Sequence, residues 1–467
     1  MGGCSWWVMT VVVLATGRSA AFAQDRAAQV RCADLIRTAE GAGLRVGLFA
    51  REVDSGRVLA EHRAAEGFVP ASNQKLLTVA AALAELGADY RFRTGFTLTH
   101  GELRVLAGGD PNWITGGEHD PRALLRAVAD QLSRAGVHAI RGIHLDDGRF
   151  GGVARPDGWP RDQSHLDYCA PSAGLLLDGA CWGVEIRSAG EGEAAEASLV
   201  APWTGFALDG TLIGTRDAKK GGRYRVEEAG TSLRLSGNFW TRGQPRIVRG
   251  SCADPTALFE RALRAALEEA GIGVDPDAPE RDLALETVTT PLVESIERAL
   301  RESSNIDAEQ ILRVLGAERG GDGSYAAAPH ALRAALAKLV HELPEQLEIV
   351  DGSGLSRLDR VTPRLCVDVL DAIARTPHAK LFASALPIAG RDGTLERRFR
   401  GSDLQGRVRA KTGTLAGASA LSGYLATEDR RVVLFSILVD RSGAKRGAPD
   451  ARKLEEDIVE VLDGASR

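Results

Sequence analysis

The sequence predicts an α/β (α+β) protein, an α/β/α sandwich on a largely antiparallel sheet that carries a large β-rich inserted region. Three observations support this fold class. The N-terminal part reads as helix, hairpin and helix. The C-terminal part reads as helices, three successive strands and a closing helix. Between them the texture changes to many glycines, short apolar runs and turn dipeptides. Both ends of the chain would then build one discontinuous domain, 24–88 plus 285–467. An inserted β-rich region of one or two subdomains would fill 89–284, and a signal peptide 1–23.

The elements follow in order. An apolar run from Trp6 to Ala15 is too short to span a bilayer, and Ala21-Phe22-Ala23 reads as an A-x-A cleavage site, so the chain is expected to be exported. AAQVRCADLIRTAEGAG has the pattern of a short amphipathic helix. LRVGLFAREVDSGRVLAEH alternates as two strands joined at Ser55-Gly56. In FVPASNQKLLTVAA, Pro70 precedes Ser72, and an Ala/Leu-rich run of good helix formers continues to Leu86. From about Tyr90 to about Pro279, stretches such as FTLTHGELRVLAGGD, IRGIHLDDGRF and GTSLRLSGNFW read as strands and turns. TALFERALRAALEEAG adds a helix near the end of that block. Helices are expected over 293–316 and 330–343. Three strands follow in GRVRAKTGTLAGASALSGYLATEDRRVVLFSILVDR, with turns near Gly417 and at Glu428-Asp429. DARKLEEDIVEVLDG closes the chain as a helix.

Composition narrows the function classes. A 467-residue chain with 44% hydrophobic and 26% charged residues is that of a soluble globular protein. Its net charge of -5 supplies no basic field for nucleic acid. Without the expected signal, five cysteines remain (Cys32, Cys169, Cys181, Cys252, Cys366). None forms a close CxxC pair, which argues against a zinc site or a redox motif. Cys169 and Cys181 could bridge neighbouring strands, or all five could be buried thiols; both readings stay open. Scattered histidines without H-E-x-x-H, and the lack of G-x-S-x-G, argue against a metallopeptidase and an α/β-hydrolase. No metal and no cofactor are expected.

The chain has only eight lysines, against fifty arginines, so each lysine is informative. Ser72 and Lys75 lie three apart at a helix start, on one face. A serine hydroxyl needs a base, and lysine can be that base once burial depresses its pKa, whereas arginine keeps its proton. Composition alone yields roughly 0.4 S-x-x-K pairs in such a chain, and Ser442 with Lys445 is a second one. The pair by itself therefore proves nothing. Two further motifs change the odds: Ser303-Ser304-Asn305 in a predicted helical segment, and Lys411-Thr412-Gly413 in a predicted strand. With four asparagines in the chain, S-x-N is rare; Ser236-Gly237-Asn238, in a strand pattern of the insertion, is a decoy. S-x-x-K, S-x-N and K-T-G in this order are the set of the penicillin-recognising serine enzymes.

On these motifs the chain resembles the class C penicillin-binding proteins, the D-alanyl-D-alanine carboxypeptidase/endopeptidase family. GGDPNW (108–113), YCAPSAGLLL (168–177), DGSGLSRLDRVTP (351–363) and LPIAGRDGTLERRF (386–399) add to the likeness. The resemblance covers nearly all of the mature sequence, including the long insertion. It implies a penicillin-recognising serine transpeptidase-like fold acting on peptidoglycan stem peptides that end in D-Ala-D-Ala, and acylated by β-lactam antibiotics. It further implies that Ser72 attacks the penultimate D-alanine carbonyl, that Lys75 takes its proton, and that Ser303 relays that proton to the leaving nitrogen. Asn305 would hold Lys75 and the substrate amide. Lys411, with Thr412 and Thr414, would meet the terminal carboxylate, and Gly413 would admit the substrate backbone to the strand edge. The oxyanion hole would use the Ser72 and Thr414 amides. Asp351 and Asp392 read first as turn-formers. A periplasmic protein of a Gram-negative cell without a stable membrane anchor is expected. The rival readings are a β-lactamase or esterase on the same scaffold, and a catalytically silent peptidoglycan-binding protein.

Overall fold

A computed structural model describes residues 18–217 and 219–464. Residues 1–17 of the expected signal lie outside the described residues, and its remainder opens the first helix. The central sheet has five strands: β1 (Arg45–Glu52), β2 (Val58–His62), β3 (Val408–Leu415), β4 (Ala418–Ala426) and β5 (Val432–Asp440). Their spatial order is β3-β4-β5-β1-β2, and every pairing is antiparallel. The hairpins β1-β2, β3-β4 and β4-β5 turn where the glycine and acidic dipeptides lie in the sequence. The long-range pairing is β1 with β5, where Arg45 faces Asp440. The two ends of the chain thus share one sheet.

Helices α1 (Arg18–Gly41) and α6 (Ala451–Gly464) cover one face. Cys32 and Ile36 meet Ile458 and Leu462 over Val46, Leu48, Phe435 and Ile437 in one apolar cluster. The other face is covered by α2 (Gln74–Leu86), α3 (Asn305–Gly320), α4 (Ala328–Leu339) and α5 (Pro363–Ala374). Leu76, Val79, Ile311, Leu336, Val369 and Leu370 pack there against Phe49, Leu434 and Leu438. This is the three-layer mixed α/β architecture the sequence predicts.

Several helices depart from the expected ones: Pro363–Ala374 lies in a stretch read without a helix, and the helix expected over 330–343 spans Ala328–Leu339. The helix expected over 293–316 breaks. Residues Leu292–Glu297 are α-helical and Arg298–Glu302 form a wider turn, Ser303 is left-handed at φ 66°, and α3 begins at Asn305. Ser304 caps α3 by accepting from Asp307 N, a Ser-x-x-Asp start signal hidden inside an apparently continuous pattern. Pro121–Arg134, read as part of the β-rich block, is a helix, with Asp120 as cap and Pro121 at its first position.

The insertion, expected to be β-rich with one helix near its end, carries two α-helices. Arg91–Thr99 is flanked by Glu102–Leu106 on one side and by Leu283–Ala284 and Val288–Pro291 on the other. The last of these pairs extends that sheet past the expected boundary at 284. Helices Pro121–Arg134 and Pro255–Glu269 pack beside it through Leu125, Val128, Leu263 and Leu267. From this unit the chain makes a second excursion. Residues 181–251 form a three-stranded and a four-stranded sheet around their own core of Trp182, Val184, Ile186, Phe206, Leu233, Leu235 and Phe239. All five described cysteines are free and buried, so Cys169 and Cys181 are not bridged.

Candidate active site

The site lies where the first turn of α2, the turn before α3 and the edge strand β3 converge. Pro70 leads into a single 3-10 turn, Ala71–Asn73, that continues directly into α2. Ala71 has φ 45°, an unusual conformation for a residue with a side chain, costing of order 1 kcal/mol. It faces β3 closely: a Cβ added at Gly413 would stand 2.9 Å from Pro70 O and 3.1 Å from the Ala71 Cβ. Gly413 therefore makes room for the nucleophile's own turn. The sequence reading assigned that room to the substrate.

Lys75 is fully buried, and its ammonium has three acceptors. It donates to Ser72 Oγ at 3.1 Å, Asn305 Oδ1 at 2.7 Å and Ser353 O at 2.8 Å. Burial pushes its pKa down from 10.5 to about 8, against the opposing pull of Asp351, Glu309 and Asp307. With a pKa of about 8, roughly one Lys75 in ten is neutral at pH 7, against ~3 in 10,000 for an ordinary lysine. Across the groove Lys411 donates to Ser303 Oγ at 2.8 Å, and burial followed by the Lys75 charge pushes its pKa well down. Two serine–lysine pairs thus face each other, and Asn305 ties the first to Tyr168 O through its Nδ2 at 2.8 Å. Thr412 Oγ1 is bonded to Thr394 Oγ1 at 2.7 Å, while Thr414 is exposed.

β3 is an edge strand, capped only at its start, where Ala410 N donates to Pro387 O. Alternate residues of a strand direct their amides to the same side. The N–H groups of Thr412 and Thr414 therefore point outward like that of Ala410, toward a substrate strand. Ser72 N belongs to the opening turn of a helix, whose first amides lack intrahelical acceptors. Asn73, buried, fastens this turn to β3 by donating to Lys411 O at 3.1 Å.

Several residues that the sequence reading passed over hold this geometry. Glu309 lies one turn beyond Asn305 on α3 and accepts from Ser353 N at 2.8 Å and Gly352 N at 3.1 Å. It thereby fixes the loop whose Ser353 carbonyl meets Lys75. Thr78 of α2 donates to Gly352 O at 2.8 Å from the other side. The i, i+4 spacing of Asn305 and Glu309 was the available signal. Asp351 is a turn-former, as its sequence suggests. It accepts from Gly354 N, Ser356 N and Trp159 Nε1 at 2.6–2.8 Å. Asp392 likewise accepts from Ile388 N, and it is its neighbour Thr394 that reaches the K-T-G strand. The GGDPNW segment braces the strained Ser303 turn: Asn112 accepts from Arg298 Nη2, which also bonds Asp307 across the turn at 2.6 Å. Of the decoys, Lys445 donates to Gly41 O at the end of α1, and Ser236-Gly237-Asn238 lies in the outer four-stranded sheet.

Comparison with known proteins assigns the family. Residues 32–464 match the model of the D-Ala-D-Ala carboxypeptidase 3 (S13) family. The chain belongs to this family. It is 30% identical over 410 residues to the D-alanyl-D-alanine carboxypeptidase of Actinomadura sp. (strain R39), covering 81% of this chain and 74% of that one. It is 24% identical to the D-alanyl-D-alanine carboxypeptidase DacB of Haemophilus influenzae, over 84% of this chain and 85% of the relative. The crystal structure of penicillin binding protein 4 from Haemophilus influenzae superposes with a TM-score of 0.77 at 22% identity, over 92% of this chain and 98% of that one. The same protein has been solved complexed with a β-lactam.

Proposed function

We propose that this D-Ala-D-Ala carboxypeptidase works through an acyl-enzyme on Ser72, with Lys75 as its base. The observation that carries the reading is the fully buried Lys75 ammonium held at once by Ser72 Oγ, Asn305 Oδ1 and Ser353 O. Neutral Lys75 takes the Ser72 proton as Oγ bonds to the penultimate D-alanine carbonyl carbon. The amides of Ser72 and Thr414 stabilise the oxyanion. Collapse breaks the C–N bond, and the proton taken by Lys75 is relayed through Ser303 to the leaving D-alanine amine, which leaves Lys75 neutral again. Water then hydrolyses the ester and restores the Ser72 hydroxyl. Burial and the neighbouring Lys75 charge disfavour the Lys411 ammonium, and the substrate's terminal carboxylate beside it, supported by the Thr412 and Thr414 hydroxyls, would favour it.

A crosslinked stem peptide is cleaved by the same sequence of bonds, so endopeptidase activity needs access rather than new groups. The β-lactamase reading lacks support, because rapid deacylation needs a second base. Glu309, the buried acid on α3 behind Lys75, spends both oxygens on backbone amides. We further propose a periplasmic location, which the A-x-A pattern at Ala21-Phe22-Ala23 supports.

Brief exposure to benzylpenicillin followed by peptide mapping should find a stable acyl adduct on Ser72. In Ser72→Ala that adduct should vanish, with unchanged circular dichroism and D-alanine release slowed by at least about a thousandfold. An adduct on another residue would sink the assignment.

A further inference from the structure

The outer excursion, 181–251, carries a charge opposite to that of the chain. Nine arginines and lysines but three acidic residues lie between Arg216 and Arg249, in a protein whose net charge is -5. Three of these cations, Arg223, Arg225 and Arg234, stand on one sheet face with two carboxylates, Glu227 and Asp209, of which Asp209 pairs with Arg234 at 3.4 Å. Arg223 and Arg225 stand on one strand and face Asn238 and Ser236 on the next, and both arginines are exposed. Arg225 has Glu227 at 3.8 Å, while Arg223, Lys219 and Arg242 have no ion-pair partner among the described residues. Trp240, 43% exposed, ends the same strand, and Ile213, 38% exposed, pairs in register with Asn238. The odd-numbered residues of that strand, Leu233, Leu235 and Phe239, point into the core, so the even-numbered face belongs to solvent.

The indole is held. A Cβ added at Gly221 would meet Trp240 Cβ at 2.9 Å and both Cγ and Cδ1 at 3.1 Å, so the five-membered ring rests on the glycine backbone. A tryptophan seated on backbone presents its free face as a platform. Beside it stand small polar residues, Ser236 and Asn238, and then the two arginines.

We propose that this face docks the peptidoglycan strand itself, Trp240 stacking a sugar ring while Arg223 and Arg225 meet the carboxylates of its stem peptides. The proposal rests on the carboxypeptidase reading for the identity of the polymer. Charge complementarity selects an anionic partner. The polar centre of the face and the seated indole match a polymer of hydroxyl- and acetamido-bearing sugars. An anionic bilayer would call for a wider apolar rim around the cations than Trp240 and Ile213 supply. Ser236 and Asn238 offer hydrogen bonds to sugar, and guanidinium groups recognise carboxylates in a bidentate fork. Catalysis on a large insoluble substrate would then begin with capture at a surface remote in sequence from Ser72.

The test is co-sedimentation of the full protein with purified peptidoglycan sacculi, wild type against Trp240→Ala and against the double variant Arg223→Ser/Arg225→Ser. Each variant is expected to bind about tenfold more weakly, the usual scale for losing an exposed aromatic or arginine anchor. Only the double variant's deficit should shrink in high salt. Both should release D-alanine from a soluble pentapeptide at the wild-type rate. Wild-type pelleting by both variants would overturn the proposal. So would variants that bind sacculi normally but lose binding to phosphatidylglycerol vesicles, which would assign the face to lipid. A wild type inert toward soluble pentapeptide and benzylpenicillin would instead refute the carboxypeptidase reading, since pelleting is read independently of turnover.

Discussion

The two faces of the central sheet are both closed to water, yet they follow opposite rules. Beneath α1 and α6 the layer is hydrocarbon, with Ile36, Leu48, Phe435 and Ile458 in contact and a buried Glu455 held at its margin by Arg398 and Ser419. Beneath α2, α3 and α5 the same sheet hides Lys75, Lys411, Glu309, Asp351 and Asp359. Burying charge is unfavourable unless it is paired and hydrogen-bonded. On the second face the cost appears as function, in a lysine whose pKa has come down to about 8. One side of the sheet supplies the stability that the other side gives up.

Three experiments sharpen that contrast. The largest expected effect is on the dry face. Ile458→Ala should lower unfolding free energy by about 2–5 kcal/mol, as large-to-small core changes do. Chemical denaturation would measure it, and penicillin acylation per folded molecule should be unchanged. If acylation fell in step with stability, the two faces would not be separable. Next comes Gly413→Ala on the other face, where a methyl group would press on Pro70 O and Ala71 Cβ. Stopped-flow acylation should slow by roughly ten- to a hundredfold, the scale of a displacement of about 1 Å at a reacting group, with little change in melting temperature.

The smallest effect concerns pH. Acylation needs neutral Lys75, so its rate should rise about tenfold per pH unit and level off above about 8. Glu309 acts on Lys75 together with Asp351 and Asp307, while Asp359 adjoins Asp351 and Glu309, with the Arg313 guanidinium further along α3. Its own carboxyl, pushed up to about 7 by burial and by Asp351, is ionised in the upper part of that range. A carboxylate stabilises an ammonium. Glu309→Gln should therefore lower the Lys75 pKa and move the inflection to lower pH by less than one unit. A variant that merely loosened the 351–354 loop would reduce the plateau and leave the inflection where it was.

Much of this was legible in the sequence, for definite reasons. Hairpins announced themselves at Ser55-Gly56, Gly417 and Glu428-Asp429 because turn chemistry is local. Ser72, Lys75, Ser303, Asn305 and Lys411 were found because each is tied to a short motif. The break at Ser303 was not, because Arg298 and Asp307 hold it through Asn112, nearly two hundred positions earlier in the chain. Nor could spacing reveal that a backbone carbonyl, Ser353 O, is the third acceptor of Lys75, since any residue has a carbonyl. That Gly413 also makes room for the Pro70 turn could not be read from its motif, because its crowding depends on how β3 meets that turn. The helix 121–134 was overlooked although its Asp-Pro start was in view, because the glycine-rich strands around it set the tone of the whole block.

The pairing of β1 with β5 also has a consequence in time. A hairpin that emerges among the first residues has to wait for Asp440 before its second edge is closed. Contacts so distant in sequence form late, after the intervening loop entropy has been overcome. Until then Lys411 is absent from the groove, and Ser72 stands in a half-built pocket open to water, with its neighbouring lysine at an ordinary pKa. On the proposed mechanism, the reactive Ser72–Lys75 pair would be assembled only when the last strands are in place.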